Sequence, residues 1–282
     1  MARPSPTVRR RRLRYELRRL RSERGLTTED VQRLSNGDIR AYSLSRWETG
    51  DRSIRPSDLR LLLEIYEITG DAAENLLTLA RQARQRGWWQ KYVSVMPESF
   101  HVYVGLETEA VQIREYAAEL VPGLLQTEGY YRAFLETAPA DPAVDKKVEV
   151  RTARQERLAG DDPPRYWAVL NEAVIRRRVG GAEVMRGQLA RLVAIARQPN
   201  VTIQVLPFSA GAHPGMEGSF SILGFRETHD PDVVYQENQA GSVYVEEADE
   251  VDRYDQTFSH LMAKAMSAED SARLITDAAD SL

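Results

Sequence analysis

The 282-residue sequence predicts a protein in two parts: an all-α helix-turn-helix bundle, then an α+β domain with a mainly antiparallel sheet. Three observations carry this expectation. Apolar residues recur at helical spacing in short runs as far as residue 92. Beyond residue 164, five strand-like segments broken by Gly, Pro and Asp turns lie between helical segments. Charge divides along the same line: residues 1–60 carry 16 Arg and no Lys against 8 acidic residues, a net +8, while the rest of the chain carries −12. A basic head on an acidic body points to a polyanionic partner at one end only.

The first element is "RRLRYELRRLRSERG". It sets Leu13, Leu17 and Leu20 at i, i+4 and i+7, an amphipathic helix that stops near Gly25. "TTED" then offers a capping box, Thr27 with Asp30, opening a short second helix with Val31 and Leu34 as its buried stripe. Asn36-Gly37 marks a turn. A third helix runs from about Ala41 to Glu48, turns Leu44 and Trp47 inward, and stops at Gly50. "LRLLLEIYEI" makes a fourth, capped by Ser57 or Asp58, and Asp71 caps a long fifth through "AAENLLTLARQARQRGWWQKY". These elements delimit a first domain of residues 1–92.

The helical period breaks over "VSVMPESFHVYVG", which assigns residues 93–106 to a connector and 107–282 to the second domain. Helices are expected at about 107–120, 128–138 and 143–160, and again over "AEVMRGQLARLVAIARQ". "RYWAVLNEA", "VTIQVLPF", "SFSILGF", "DVVYQEN" and "GSVYVEE" read as strands, the last two joined by a hairpin at Asn238-Gln239-Ala240-Gly241. "VDRYDQTFSHLMAKAM" and "EDSARLITDAADSL" close the chain as helices, the second opened by a capping box of Ser267 and Asp270. The acidic run "EEADEVD" fits a helix start, where exposed N–H groups favour carboxylates.

Five short helices with a turn between the second and third describe a helix-turn-helix bundle. With Leu44 and Trp47 inward, Arg40, Tyr42, Ser43 and Arg46 face outward. A guanidinium can donate two bonds to guanine O6 and N7, and small neighbours let a helix approach the groove floor. The helix N-terminus adds backbone N–H groups suited to phosphate. A plain bundle with a solvated Arg face meets the same spacing. The run "VRRRRLRYELRRLR" admits a solvated face, a phosphate clamp or a minor-groove arm. Helical geometry spreads these guanidiniums around the axis, so only a subset, Arg10 and Arg12, is assigned to the clamp.

"RLRSERGLTTEDVQRL" followed by "LSRWETGDR" resembles the Xre/Cro-type repressor helix-turn-helix. The resemblance continues through "QRGWWQKY", "YVGLETEA", "YAAELVPGLLQTEGY", "RTARQERLAGDDPPRYWAVLNEAVIRR", "PNVTIQVLPFSAGAHPGMEGSF" and "DPDVVYQEN", which look like a large actinobacterial family of such regulators. In that family the C-terminal domain was long of unknown function and is now described as antitoxin-like. The resemblance implies a sequence-specific regulator that binds a double-stranded DNA operator, a homodimer, and a small protein partner encoded by the adjacent gene. It places DNA contacts on Thr27, Thr28, Ala41, Tyr42, Ser43, Ser45 and Arg46. Two departures stand out. Thr28 occupies a place usually held by Gln, and "SNGDIR" lengthens the span from Leu34 to Glu48 by about three residues, which can alter the entry angle of the third helix.

Catalysis finds little support in the sequence. There is no phosphate-binding glycine loop, no His-Glu-x-x-His and no cysteine, so no thiol nucleophile or disulfide. His101, His213, His229 and His260 are scattered, His213 reads as a satisfied loop histidine, and Glu172 with Arg176 reads as a structural ion pair. No cofactor or metal is expected. The stripe Val251, Tyr254, Phe258, Leu261, Met262 and Ala265 reads as core, with a dimer face as the alternative. With no signal-peptide core and no membrane-spanning run, the expected location is the cytoplasm. Two rival readings remain: a one-component sensor whose body binds a small molecule, marked by a pocket with convergent polar groups, and an enzyme with a DNA-targeting domain, marked by strongly perturbed titratable groups in a cleft.

Overall fold

The chain is described by a computed structural model that covers residues 6–226 and 231–282; His229 lies outside the described residues. It divides into two compact units, one ending at Gln90 and the other running from Lys91 to Leu282.

The first unit is built from five helices: α1 (Pro6–Glu23), α2 (Thr28–Leu34), α3 (Ala41–Thr49), α4 (Pro56–Ile65) and α5 (Gly70–Ala83). Their apolar residues meet in one core of Leu13, Leu17, Leu20, Val31, Ile39, Leu44, Trp47, Leu59, Leu62 and Tyr66, all buried, whereas Leu34, expected in the buried stripe of α2, is exposed at the end of that helix. Gly25 after α1 and Gly50 after α3 both sit at positive φ, +64° and +89°, where a side chain would be strained. The fourth helix begins one residue before the expected caps. Pro56 occupies its first turn and Arg55 its cap, because Pro pre-sets helical φ and gives up an N–H that has no partner there. The fifth is shorter than expected: α5 ends at Ala83, and a 3₁₀ helix (Trp88–Val95) follows. Between them Gly87 lies under the Trp89 ring, so close that a Cβ there would stand 2.4 Å from it.

The second unit carries a six-stranded sheet in the order β3-β2-β1-β4-β5-β6, with β1 (Gln112–Ala117), β2 (Arg165–Asn171), β3 (Val201–Leu206), β4 (Phe220–Gly224), β5 (Val233–Asn238) and β6 (Gly241–Val245). The sheet is mixed. β1–β2 and β2–β3 are parallel, while β1–β4, β4–β5 and β5–β6 are antiparallel. The parallel half follows from its connections: α7 (Glu128–Leu135) and α8 (Val144–Gln155) separate β1 from β2, and α9 (Glu172–Arg176) and α10 (Gly181–Ile195) separate β2 from β3. Parallel neighbours need such crossovers, and antiparallel ones need only a hairpin. The hairpin at 238–241 pairs Asn238 with Gly241 across a two-residue turn.

Two expectations fail around β1. Residues 93–106 are not an irregular connector: they hold the end of the 3₁₀ helix and most of α6 (Glu98–Glu109), whose Tyr103–Thr108 stretch is buried. The helix expected at 107–120 is β1 over 112–117. Its charged centre hides the strand period, and tertiary partners repay those charges. Arg114 pairs with Asp232 (2.7 Å) and with Asp255 (2.6 Å) of α11 (Ala248–Lys264), while Glu115, pointing to the opposite face, accepts from the Tyr166 hydroxyl at 2.6 Å. On the Arg114 face, Val251, Phe258 and Leu261 of α11 pack on Tyr116, Val169, Leu206, Phe220 and Ile222, with Tyr254, Met262 and Ala265 beside them. The α11 stripe is therefore core. α12 (Ala268–Asp280) starts with Ser267 accepting from Asp270 N and holds the edge strand through Ser271 Oγ, which accepts from Val205 N at 2.8 Å.

Burial raises the Glu115 carboxyl from its ordinary 4.5 to about 7, with Glu107 adding to the rise and Tyr166, Arg154 and Arg151 opposing it. A carboxyl whose folded pKa exceeds its unfolded one stabilises most below the unfolded value, and that contribution is lost as pH rises through 7. Glu115→Gln should therefore flatten the fall in unfolding free energy between about pH 5 and pH 8, read by urea denaturation across that range. An unchanged pH slope would remove Glu115 as its source.

Candidate nucleic-acid interface

The α2–turn–α3 unit is fixed by four local devices. The capping box at the start of α2 is complete: Thr27 Oγ1 accepts from Asp30 N at 3.1 Å, and the Asp30 carboxylate accepts from Thr27 N at 3.0 Å. Asn36 and Gly37 supply two left-handed residues in succession, φ 51° and 86°. The added residues of "SNGDIR" carry their own anchor, since Ile39 is buried and its N–H donates to Ser35 Oγ at 3.0 Å. Gln32 of α2 then reaches across the turn, and its Oε1 accepts from Ala41 N at 2.8 Å, capping α3 from outside the helix. Arg40, the N-cap residue of α3, supplies no side-chain cap of its own.

With Leu44 and Trp47 buried, α3 turns a mixed face outward. Tyr42 is 72% exposed, Arg40 and Ser45 are exposed, and Ala41, Ser43 and Arg46 are partly so. The Arg46 guanidinium lies 5.7 Å from the Tyr42 ring centre, within cation–π range. The ring thus supports the side chain at the surface. Thr28, partly buried, donates to Glu29, and the Thr27 hydroxyl is taken up by the capping box, so Thr27 is committed to shaping α2.

A second group sits at the other end of α3. Arg10, Arg14 and Arg52 gather with Trp47 and Gly50 around a small gap. Arg14 Nη1 donates to the Thr49 carbonyl at 3.2 Å, and Arg10 Nε donates to the Ala83 carbonyl at 2.8 Å. Cations at helix C-termini complement the dipole. Part of the N-terminal Arg run is therefore structural, and Arg12, partly buried on α1, is also engaged within the protein.

The residues missed by the sequence are those that hold α3 in place. Arg21 of α1 grips Glu48 of α3 with Nε and Nη2, both at 2.8 Å, and gives Nη1 to the Leu26 carbonyl at 2.7 Å. The pair is largely buried, with side-chain exposures of 17% and 7%. One signal existed: Arg21 continues the i, i+4 row of Leu13 and Leu17, and an Arg on an apolar row needs a partner. Gln32 carried no such signal, because its bond spans nine residues through a turn.

Elsewhere, Glu172 and Arg176 form the expected ion pair at 3.1 Å, and Glu172 also accepts from Phe208 N. His213 stacks edge-on to Tyr116, and burial lowers its pKa. Among the described residues, no three His, Asp or Glu side chains gather as a metal site, and no helix is long and apolar enough to cross a membrane.

The two parts of the chain match two known families. Residues 12–76 match a helix-turn-helix domain, and residues 100–277 match a domain of unknown function (DUF5753). No curated protein and no solved structure matches the chain.

Proposed function

The chain belongs to the DUF5753 family, and from that premise we propose that it is a sequence-specific DNA-binding transcriptional regulator of the actinobacterial Xre/Cro type, with its α3 as recognition helix. The observation that carries this reading is the outward face of α3. It is a buried-anchor helix capped from α2, presenting Arg46 on Tyr42 beside Arg40, Ala41, Ser43 and Ser45, within a head of net charge +8 over residues 1–60. Arg46 reads a base. Phosphate is assigned to Arg10, which stays exposed although its Nε serves the Ala83 carbonyl, to Arg12 beside its contacts within the protein, and to Thr28 at the start of α2. The reading includes a homodimer that spans two half-sites about 10 base pairs apart, or a multiple of that. It also includes control through the body by a small protein encoded by the adjacent gene, an arrangement like that of an antitoxin. The α11 stripe is occupied in the body's core, so the dimer face lies elsewhere.

The expected result with Arg46→Ala is a loss of about 1–3 kcal/mol in operator affinity together with a relaxed preference at one base position. Arg12→Ala should instead weaken operator and random DNA alike and flatten the salt dependence of binding. Both are read by fluorescence anisotropy on the two DNAs across a salt series. Equal losses on operator and random DNA for Arg46→Ala would refute base reading by that residue. A second reading, a one-component sensor with the same head, is supported by a cavity within the body.

A further inference from the structure

That cavity has a volume of about 590 Å³ and is bounded by α6, β1, α7, α8 and the end of β5, all within the second unit. Small-molecule sites run from roughly 300 to 1,000 Å³, so its size suits a compact organic ligand. α8 contributes two guanidiniums to the wall, Arg151 and Arg154, and their circumstances differ. Arg154 is neutralised: it meets Glu107 with two bonds, 2.7 and 2.6 Å, and lies over the Phe100 ring at 5.0 Å. Arg151 lies over the Tyr131 ring at 4.0 Å, is hydrogen-bonded to the Tyr131 side chain and, among the described residues, forms no ion pair with a carboxylate. Burial and the neighbouring Arg154 both press against its charge.

The wall makes room for this cation. Gly123 faces it so closely that a Cβ there would stand 2.0 Å from Arg151 Nη1. The other charges of the wall are paired or set apart from Arg151 by more than ion-pair distance. Lys147 pairs with Asp141, Glu119 pairs with Arg177, Glu115 takes the Tyr166 hydroxyl, and Glu237 is exposed on β5. What remains is a planar cation held by an aromatic ring and outside any ion pair, its charge favoured by Tyr131 and Glu107 alone, beside the apolar surfaces of Phe100 and Phe134. A carboxylate matches a guanidinium with two parallel bonds, and the rings accept an apolar or aromatic body.

We infer that the body binds a small organic acid, a carboxylate on an apolar or aromatic frame, with Arg151 as its counter-ion. The inference rests on the sensor reading of the body and not on operator binding, so its test uses no DNA. The full chain is titrated calorimetrically with 1-naphthylacetate and with its neutral isostere 1-naphthylacetamide. The acid should bind at least about tenfold tighter than the amide, the increment of a charge-assisted bond. Arg151→Met should erase that preference while circular dichroism reports a folded chain, and Arg151→Lys should keep part of it. Gly123→Ala, which displaces the guanidinium without removing it, should weaken the acid and spare the amide. Equal binding of acid and amide, no heat from either at millimolar ligand, or an acid preference that survives Arg151→Met would each overturn the assignment. A chain that passes this test and fails to bind any operator would keep the cavity and lose the regulator.

Discussion

Arg154→Met should destabilise the body by about 3–5 kcal/mol, measured as the free energy of urea unfolding, because it leaves a buried carboxylate without its partner. Glu107 and Arg154 have side chains only 2% and 4% exposed, and each oxygen of Glu107 receives a separate N–H from Arg154. The pair joins α6 to α8 across the aromatic rings of Phe100 and Tyr103. An isolated charge in such a place is costly enough that the group takes up a proton instead. The loss should therefore be smaller in acid than at neutral pH. Removing both charges, as Arg154→Met with Glu107→Leu, should recover most of the stability, since an apolar replacement of a buried pair is often neutral. A single variant within about 1 kcal/mol of the parent, the value of a surface pair, would show that the two charges are solvated in solution.

The head was legible because its signals are local. Leu13, Leu17 and Leu20 fix a face; Thr27 with Asp30, Asn36-Gly37 and Gly50 fix three boundaries within a few residues of themselves. The hairpin at 238–241 was legible for the same reason. What failed was non-local. β1 carries Arg and Glu at its centre and becomes a strand only because Asp232, Asp255 and Tyr166 wait on its two faces, up to 141 positions away. Missing β1 also hid the parallel half of the sheet, since β1 is the strand at which parallel pairing gives way to antiparallel. On the candidate interface, the outward positions of α3 could be read from Leu44 and Trp47. The supports of that helix could not, because Arg21–Glu48 and Gln32–Ala41 close across turns.

The Arg21–Glu48 pair is where stability and recognition meet. Arg21→Met should cost the head about 3 kcal/mol, at the lower end for a buried pair because Arg21 keeps some exposure. For a unit of this size, that lowers the melting temperature by more than about 10 °C. Arg21→Lys should recover little of it, because an ammonium cannot make two parallel bonds to Glu48 while also serving the Leu26 carbonyl. Glu48→Gln should cost less, since the longer Arg21 can swing its charge to water. The consequence for DNA follows from position. Glu48 lies two residues beyond Arg46 and one beyond the anchor Trp47, so it sets the angle at which α3 leaves the core. Small misplacements of a base-reading helix cost bidentate bonds first, whereas phosphate contacts tolerate them. Arg21→Met, assayed well below its lowered melting temperature, should therefore lose operator affinity while random-DNA affinity changes little. If both fell together, or the preference for operator stayed at its parent value, Arg21 would hold the fold without setting the reading geometry.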